Sequence, residues 1–142
     1  MKDLQEKFGQ LMGDTTRLWK MRLNEELKAT GLSYAKWSTL LKLSGCKNEI
    51  TQIELANFLF IEQPTLARVL NSLEKDGWIL RSQSSTDRRA KIVSFTPSGK
   101  AKFFTSKKII DNLRKKILQN VNYASLQKNI EILEKIFYNL SS

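Results

Sequence analysis

Hydrophobic positions along most of this chain recur with the three-to-four-residue spacing of amphipathic helices. Between residues 3 and 28 the steps are mostly three or four, which predicts one long helix with a single apolar side. Similar spacing predicts a second helix capped by Ser33, a helix from 97 to about 119 capped by Thr96, and a last helix near 125–140. The apolar positions assigned to the last two helices are Ala101, Phe104, Ile109, Leu113 and Ile117, then Leu126, Ile130, Leu133, Ile136, Phe137 and Leu140.

Two shorter helices joined by a tight turn lie in the middle of the chain. Thr51 and Glu54 stand three positions apart in TQIE, the spacing of a capping box that satisfies free backbone N–H groups. This box predicts a helix over residues 52–59. Pro64 fits the first turn of the next helix, where a missing N–H group costs nothing, and Gly77 is its expected end. The apolar positions of the two helices are Ile53, Leu55, Ala56 and Leu59, then Leu66, Val69, Leu70 and Leu73.

After these helices the hydrophobic period changes from about 3.6 to about 2 residues. Residues 78–82 and 90–96 alternate like the two strands of a hairpin, although their register is uncertain, and the apex carries Asp87, Arg88 and Arg89. Two helices joined by a tight turn and followed by a hairpin are typical of a winged helix-turn-helix. The predicted fold is therefore mostly α-helical with a small β-hairpin wing, flanked by further helices.

The second helix of the central pair has a polar side suited to contacting DNA bases. With its apolar stripe buried, the outward residues are Gln63, Thr65, Arg68, Asn71 and Ser72. Arginine can donate two hydrogen bonds to guanine, glutamine and asparagine can pair with adenine, and threonine can contact a thymine methyl group or a phosphate. This helix is therefore the candidate recognition helix for the major groove.

The arginines at the hairpin apex fit the neighbouring minor groove. That groove is narrow and strongly negative over A·T-rich DNA, and arginine fills it well. Arg88 and Arg89 are the candidate minor-groove contacts, and Asp87 is expected to orient one of them through a carboxylate–guanidinium pair. A charged hairpin tip taken alone indicates no partner, since exposed loops favour charge. The DNA interpretation depends on the helix pair that precedes the tip.

Composition favours the same partner and argues against several other functions. The 142 residues include 24 basic and 14 acidic side chains, a formal net charge of +10, which favours a polyanionic partner such as nucleic acid. The chain has no histidine and one cysteine, Cys46, which excludes an intramolecular disulfide and the usual structural zinc sites. We find no nucleophile motif and no phosphate-binding glycine loop, so we expect no enzyme activity, no metal and no cofactor.

The sequence contains no signal peptide or membrane-spanning segment that we can identify, so we expect a cytoplasmic protein associated with the nucleoid. Residues 97–118 carry seven basic and one acidic side chains, a charge of +6. A helix of this kind can lie on a membrane surface. Its apolar residues are needed in an interface, however, and its lysines fall on several sides. This pattern favours a solvated face that attracts DNA at long range.

Residues 51–99, from TQIELANFLF to STDRRAKIVSFTPSG, resemble the winged helix-turn-helix of the multiple antibiotic resistance regulator (MarR) family. IEQPTLARVLNSLE together with DRRAK is most similar to its SlyA subgroup, and LSYAKWSTLLKL resembles the family's second helix. The resemblance implies a homodimeric transcriptional regulator, either a repressor or an activator, that binds pseudo-palindromic double-stranded DNA. The DNA contacts that it implies are Thr65, Arg68, Gln63, Asp87 and Arg89, with Arg88 beside them.

The hydrophobic pattern also favours a dimer. The first helix and the last two are long and apolar for a chain of this size, and exposed apolar patches usually mark interfaces. The alternative is that these helices pack only on their own winged domain. The predicted domains are an N-terminal dimerisation helix over residues 1–30, a DNA-binding domain over 31–96 and C-terminal dimerisation helices over 97–142.

A ligand pocket and a redox switch are further hypotheses. The resemblance implies that small aromatic acids often bind such proteins, and these acids require a cation and flat apolar walls. Arg17, Trp19, Tyr34 and Trp37 offer both, although aromatic residues at helical spacing are more often core. Cys46 would serve a redox-sensing regulator, but the absence of a partner cysteine favours a plain thiol. The remaining alternative is a winged-helix module that binds protein instead of DNA.

Overall fold

A computed structural model of the protein describes all 142 residues. It confirms the predicted fold class, because most residues lie in helices and the strands form one small antiparallel sheet. The chain forms two compact units, Met1–Ile110 and Asp111–Ser142. No helix has both the length and the hydropathy required to cross a membrane. The elements are α1 (Lys2–Leu27), a 3₁₀ helix (Lys28–Thr30), α2 (Tyr34–Ser44), β1 (Ile50–Thr51), α3 (Gln52–Leu59), α4 (Gln63–Lys75), β2 (Ile79–Gln83), β3 (Lys91–Phe95), α5 (Pro97–Ile117) and α6 (Tyr123–Ser141).

Hydroxyl caps fix the start of three helices. Ser33 Oγ accepts a hydrogen bond from the backbone N–H three residues later at 3.2 Å, which confirms the predicted cap of α2. Thr51 Oγ1 accepts from the Glu54 N–H at 3.1 Å, and Thr96 Oγ1 accepts from the Gly99 N–H at 2.9 Å. The other half of the predicted capping box differs. The Glu54 carboxylate accepts from the Thr51 hydroxyl at 2.9 Å instead of from its backbone N–H.

The sheet contains one strand more than the hairpin pattern predicts. Its order is β1-β3-β2, and both pairs are antiparallel. Strand β1 is only two residues long, which is too short to produce a periodic signal. In the hairpin, Ile79 lies opposite Phe95 and the pairing continues to the end of β2. Ile92 and Val93 are both buried, so β3 departs from strict alternation, since α2 and α3 both contact this central strand.

Two predicted apolar sides differ from the observed ones. The pattern assigns Ile53 to the buried side of α3, but this residue is 51% exposed, because the short α3 buries only a narrow stripe, Leu55 and Ala56. In α5 the buried aromatic residue is Phe103, whereas the predicted Phe104 is 50% exposed. The Phe103 ring stacks on Trp37 and also contacts Phe95, with centroid distances of 5.1 and 5.4 Å. These tertiary contacts select which side of α5 is buried.

The junction between the wing and α5 is unusually close. A Cβ atom on Gly99 would lie 2.0 Å from the Trp78 carbonyl oxygen, so only glycine fits there. The Thr96 hydroxyl donates a hydrogen bond to the Gly77 carbonyl at 2.6 Å, and the Thr96 N–H donates to the Trp78 carbonyl at 3.1 Å. Gly77 itself has a φ of +80°, a left-handed conformation that ends α4 as predicted. These contacts fix the base of the wing beside the end of α4.

Candidate nucleic-acid interface

Helix α4 has an apolar side and a polar side. Leu66, Leu70 and Leu73 are fully buried, as the spacing predicts, and this turns the opposite side toward solvent. Thr65 and Arg68 are exposed, and their side chains form no hydrogen bond or ion pair within the chain. A free hydroxyl and a free guanidinium in the first half of a helix are groups that can read base edges in a major groove.

The residues at the start of α4 are also exposed, and the N-cap residue among them is negatively charged. Gln63 begins the helix, and Pro64 follows it in the first turn. Glu62 is the N-cap residue, and its side chain accepts no capping hydrogen bond. A carboxylate is favourable at the positive end of a helix dipole but repels a phosphate. Glu62 therefore places a negative charge at this end of α4, which is unfavourable for a nearby phosphate.

One arginine joins the second half of α4 to strand β2. Arg81 Nη2 donates hydrogen bonds to Asn71 Oδ1 at 2.6 Å and to Glu74 Oε1 at 3.2 Å, and its Nε donates to Glu74 Oε2 at 3.4 Å. The backbone N–H of Arg81 donates to Glu74 Oε2 at 2.9 Å. The side-chain hydrogen bonds are the main reason that the pKa of Glu74 lies below its ordinary value. Asn71, predicted as a base contact, thus has its side-chain oxygen occupied by a residue that the sequence pattern does not single out.

The wing tip, residues 84–90, is a tight turn organised by two short polar side chains. Ser84 Oγ accepts hydrogen bonds from two backbone N–H groups of the turn, at 3.2 and 3.3 Å. Asp87 Oδ1 accepts a hydrogen bond from the backbone N–H of Arg89 at 2.9 Å, where the sequence predicts a guanidinium partner. The carboxylate therefore shapes the turn. The guanidinium groups of Arg88 and Arg89 are exposed and form no ion pair within the chain.

A basic cleft of about 200 Å³ connects the start of the recognition helix with the wing. Gln63 from α4 lines it together with Arg89 and Lys91 from the wing and residues 51–53. Gln52 Oε1 is buried without a hydrogen-bond partner, and an unpaired buried acceptor costs about 1–3 kcal/mol. The structure thus brings two predicted DNA contacts to one cleft. Lys91 and Gln52 also line this cleft, and the hydrophobic pattern contains no signal that identifies either of them.

A second, mostly apolar cavity of about 360 Å³ is lined by residues of α1, α2, α3 and α4. Lys20 and Lys42 line it, and Lys20 Nζ lies 5.6 Å from the centre of the Tyr34 ring. Thr65 and Val69 form part of its wall, so any occupant contacts the recognition helix. Cations beside aromatic and aliphatic walls suit an aromatic carboxylate. The other lining residues are Ala35, Ser38, Thr39, Phe58, Leu59, Phe60 and Ile61.

The four predicted ligand residues do not come together. Tyr34 lines the apolar cavity. Trp37 is instead a core residue, 1% exposed and stacked on Phe103. Arg17 is exposed and forms an ion pair within α1, and Trp19 is partly buried outside the cavity lining. The cations at the cavity are lysines that come from separate helices, and no local pattern predicts that they lie close together.

Cys46 follows the end of α2. Its Sγ donates a hydrogen bond to the Lys42 carbonyl oxygen at 3.3 Å. No group of three His, Cys, Asp or Glu side chains is placed to hold a metal ion. The geometry around Cys46 adds nothing that favours the redox interpretation over a plain thiol.

Comparison with known proteins identifies the central region and the fold. The MarR family model matches residues 32–91, from just before α2 to the first residue of β3. The solved structure of the transcriptional regulator PA3341 is 34% identical, with a TM-score of 0.85, and the match covers 94% of this chain and 98% of that chain. A MarR variant from E. coli, solved with operator DNA, is 24% identical (TM-score 0.83; 92% and 93% covered). CouR from Rhodococcus jostii, solved with p-coumaroyl-CoA, is 18% identical (TM-score 0.81; 91% and 90% covered).

Proposed function

Since the chain belongs to the MarR family of transcriptional regulators, we propose that it binds pseudo-palindromic double-stranded DNA as a homodimer. Members of this family are regulators and not enzymes. One observation carries the proposal: unpartnered polar and cationic side chains stand on two neighbouring elements. Thr65 and Arg68 are exposed on α4, and Arg88 and Arg89 are exposed at the wing tip. A protein of the same fold was solved with operator DNA, which supports the same use of these elements here.

The first half of α4 reads bases in the major groove. Arg68 donates a pair of hydrogen bonds to a guanine, Thr65 contacts a thymine methyl group or a phosphate, and Gln63 pairs with an adenine. Asn71 contributes less to base reading, because its side-chain oxygen already accepts a hydrogen bond from Arg81. Specificity is therefore concentrated near the N-terminus of the helix.

The wing tip contacts the adjacent minor groove. Arg88 and Arg89 extend from a turn whose shape the Asp87 carboxylate holds through the Arg89 backbone N–H. A narrow A·T-rich minor groove attracts such guanidinium groups through its enhanced negative potential. Lys91 lines the basic cleft beside Arg89 and neutralises a phosphate, which adds salt-dependent affinity without sequence preference.

Two exposed apolar surfaces, one on each of two helices, support the homodimer. On α1, Leu4, Phe8 and Leu11 are exposed at spacings that place them on one side of the helix. On α6 no residue is buried, and Leu133 and Leu140 are exposed. A second copy that covers these surfaces removes the apolar area from water. A two-fold dimer also places two recognition helices about 34–36 Å apart, one turn of DNA.

Each region of the chain has its own role in this proposal. Residues 1–30 and 97–142 serve dimerisation, and residues 31–96 bind DNA, an assignment supported by the family model's match to 32–91. IEQPTLARVLNSLE and DRRAK favour the SlyA-like subgroup. A regulator of chromosomal DNA acts in the cytoplasm at the nucleoid, and we propose that location.

The apolar cavity is the proposed site of a small aromatic acid that regulates DNA binding. Lys20 or Lys42 pairs with the carboxylate, and Tyr34 packs against the ring. CouR was solved with p-coumaroyl-CoA, whose aromatic acyl group supports an aromatic occupant. Because its carboxyl group is a thioester, the proposed carboxylate rests on the two lysines of the cavity. Thr65 and Val69 lie in the cavity wall, so an occupant changes the position of the recognition helix.

Fluorescence anisotropy with a DNA duplex selected by the wild-type protein tests the proposed function. Arg89→Ala is expected to weaken binding roughly 5- to 150-fold. It is also expected to reduce the slope of log affinity against log salt by about 0.9 for each phosphate that is no longer neutralised. Arg22→Ala removes an exposed cation on α1 and is the matched control, expected to change neither quantity. An unchanged affinity and slope for Arg89→Ala would remove Arg89 from the DNA interface. Failure of the wild-type protein to select or bind any duplex would contradict DNA binding and favour the protein-binding module.

A further inference from the structure

Arg81 pairs with two side chains of α4 that otherwise face solvent. Its guanidinium contacts Asn71 and Glu74 at N···O distances of 2.6 to 3.4 Å. These bonds use three of the five N–H donors of the group. The Arg81 side chain is 16% exposed and that of Glu74 is 39% exposed. Arg81 is therefore less available to a phosphate than the arginines of the wing tip.

The ion pair between Arg81 and Glu74 lies at the base of the wing. Arg81 is in β2, where it pairs with Val93 of β3, and Glu74 lies in the last turn of α4. Only residues 76–78 connect the end of α4 to the start of β2. With so short a connection, the guanidinium–carboxylate pair sets the direction in which the hairpin leaves the helix, and hence the position of the wing tip.

We propose that Arg81 is a positioning residue for DNA recognition. By binding Glu74 and Asn71, it holds the wing at the angle at which α4 and the wing-tip arginines reach one duplex together. This role rests on the DNA-binding function proposed above. An arginine that makes several hydrogen bonds to one carboxylate fixes direction as well as distance, which a lone charge does not do.

The alternative role for Arg81 is a direct DNA contact for which Glu74 only competes. The two roles predict opposite effects of Glu74→Gln. If Arg81 contacts DNA, the substitution removes a negative charge and frees the guanidinium, so affinity rises. If Arg81 positions the wing, the substitution loosens the hairpin and affinity for a specific site falls. Glu62→Gln is the matched control, because it removes an exposed carboxylate without a capping bond at the other end of α4.

The experiment measures Kd for the full chain on a selected duplex and on a scrambled duplex of equal length, over a range of salt concentrations. For Glu74→Gln and Arg81→Met we expect about tenfold weaker binding to the selected duplex, as for the loss of a charged hydrogen bond. On the scrambled duplex we expect a change of less than about twofold and no change in salt slope, because the same number of phosphates is neutralised. Glu62→Gln is expected to increase affinity for both duplexes, because it removes a carboxylate that repels phosphate. Arg81→Lys is expected to recover part of the loss, since an ammonium group keeps the charge but not the forked geometry.

Amide hydrogen exchange of the free protein provides a second measurement. In Glu74→Gln and Arg81→Met, the backbone amides of β2 and β3 are expected to exchange faster than in the wild type, while those on the buried face of α4 stay protected. Tighter binding by Glu74→Gln would overturn the positioning role. Equal losses on both duplexes with a salt slope lower by about 0.9, or unchanged exchange in both variants, would also overturn it. Failure of the wild-type protein to bind any DNA would instead overturn the proposed function, and that result appears before any substitution is made.

Discussion

The exposed polar side chains in the two halves of helix α4 differ in whether they have a partner within the chain. In the first half, Thr65 and Arg68 are exposed and have no partner within the chain. In the second half, Asn71 and Glu74 are also exposed, yet Arg81 binds both of them. An exposed polar residue on a recognition helix is thus not automatically available to DNA. Its availability depends on which neighbouring element has already paired with it.

The wing divides in the same way. Arg81 at its base is used within the protein, whereas Arg88 and Arg89 at its tip have free guanidinium groups. Asp87 also acts internally, since it holds the turn through a backbone N–H. Polar side chains near the junction of α4 and the wing therefore fix geometry. Those far from the junction remain free to bind.

The largest expected effect is on the free energy of unfolding, and it comes from a substitution on the buried side of α4, which packs both halves of the helix against the core. Leu70 is fully buried on the opposite side of the helix, so Leu70→Ala is expected to lower the free energy of unfolding by about 2–5 kcal/mol. Arg68→Ala, on the exposed side, is expected to change it by less than about 0.5 kcal/mol. Urea denaturation at a fixed protein concentration measures both. Similar losses for the two variants would show that α4 is not seated by its apolar side.

The second-largest expected effect is a loss of DNA affinity when a polar side chain in the first half of α4 is removed. Arg68→Ala is expected to weaken binding to a selected duplex by about 1–3 kcal/mol and to relax the preference at one base pair. The reason is that a free guanidinium is removed from the half of α4 that we propose reads bases. Competition binding against duplexes changed at single positions measures this. An Arg68→Ala protein with the wild-type preference at every position would remove Arg68 from base reading.

A smaller effect separates the halves by stability. Asn71→Ala is expected to lower the free energy of unfolding by about 0.5–1.5 kcal/mol, because the Asn71 oxygen accepts a hydrogen bond from Arg81. Thr65→Ala removes a polar group without a partner in the first half and is the control. Thermal and urea unfolding measure the difference. If Thr65→Ala destabilises the protein as much as Asn71→Ala, the distinction between the halves fails.

The smallest effect concerns pH. Hydrogen bonds from Arg81 hold the pKa of Glu74 below its ordinary value of 4.5, so ionised Glu74 stabilises the fold above that value. This contribution is lost as the pH falls through the lower pKa of the folded state. Glu74→Gln is therefore expected to be less stable than the wild type at pH 7, with a difference that narrows below about pH 4.5. A difference that stays constant down to pH 3 would show that ionisation of Glu74 is not involved.

Local signals in the sequence predict a large part of the fold. The caps at Ser33, Thr51 and Thr96 form as expected, and α3 covers residues 52–59 as its capping box predicts. Each of these features depends on residues within one helical turn. The buried stripe of α4 follows for the same reason, since its period is contained in a single element.

Features that depend on contacts between distant segments are not predicted. The side of α5 that is buried depends on Trp37, which receives Phe103 instead of Phe104. The bonds from Arg81 to Asn71 and Glu74 cross the turn between a helix and a strand, and no periodic pattern encodes them. The cations of the apolar cavity come from separate helices for the same reason. Sequence patterns therefore identify the elements and the buried side of α4, but not the buried side of α5 or the partners of each polar group.

The decisive experiment is selection of binding sites from a random duplex library with the purified 142-residue protein. We expect an enriched inverted repeat whose half-sites are centred about 10–10.5 base pairs apart, because a two-fold dimer places its α4 helices in successive major grooves. We also expect A·T-rich sequence where the wing tips lie. Enrichment of no motif, or of a single unrepeated motif, would contradict the account.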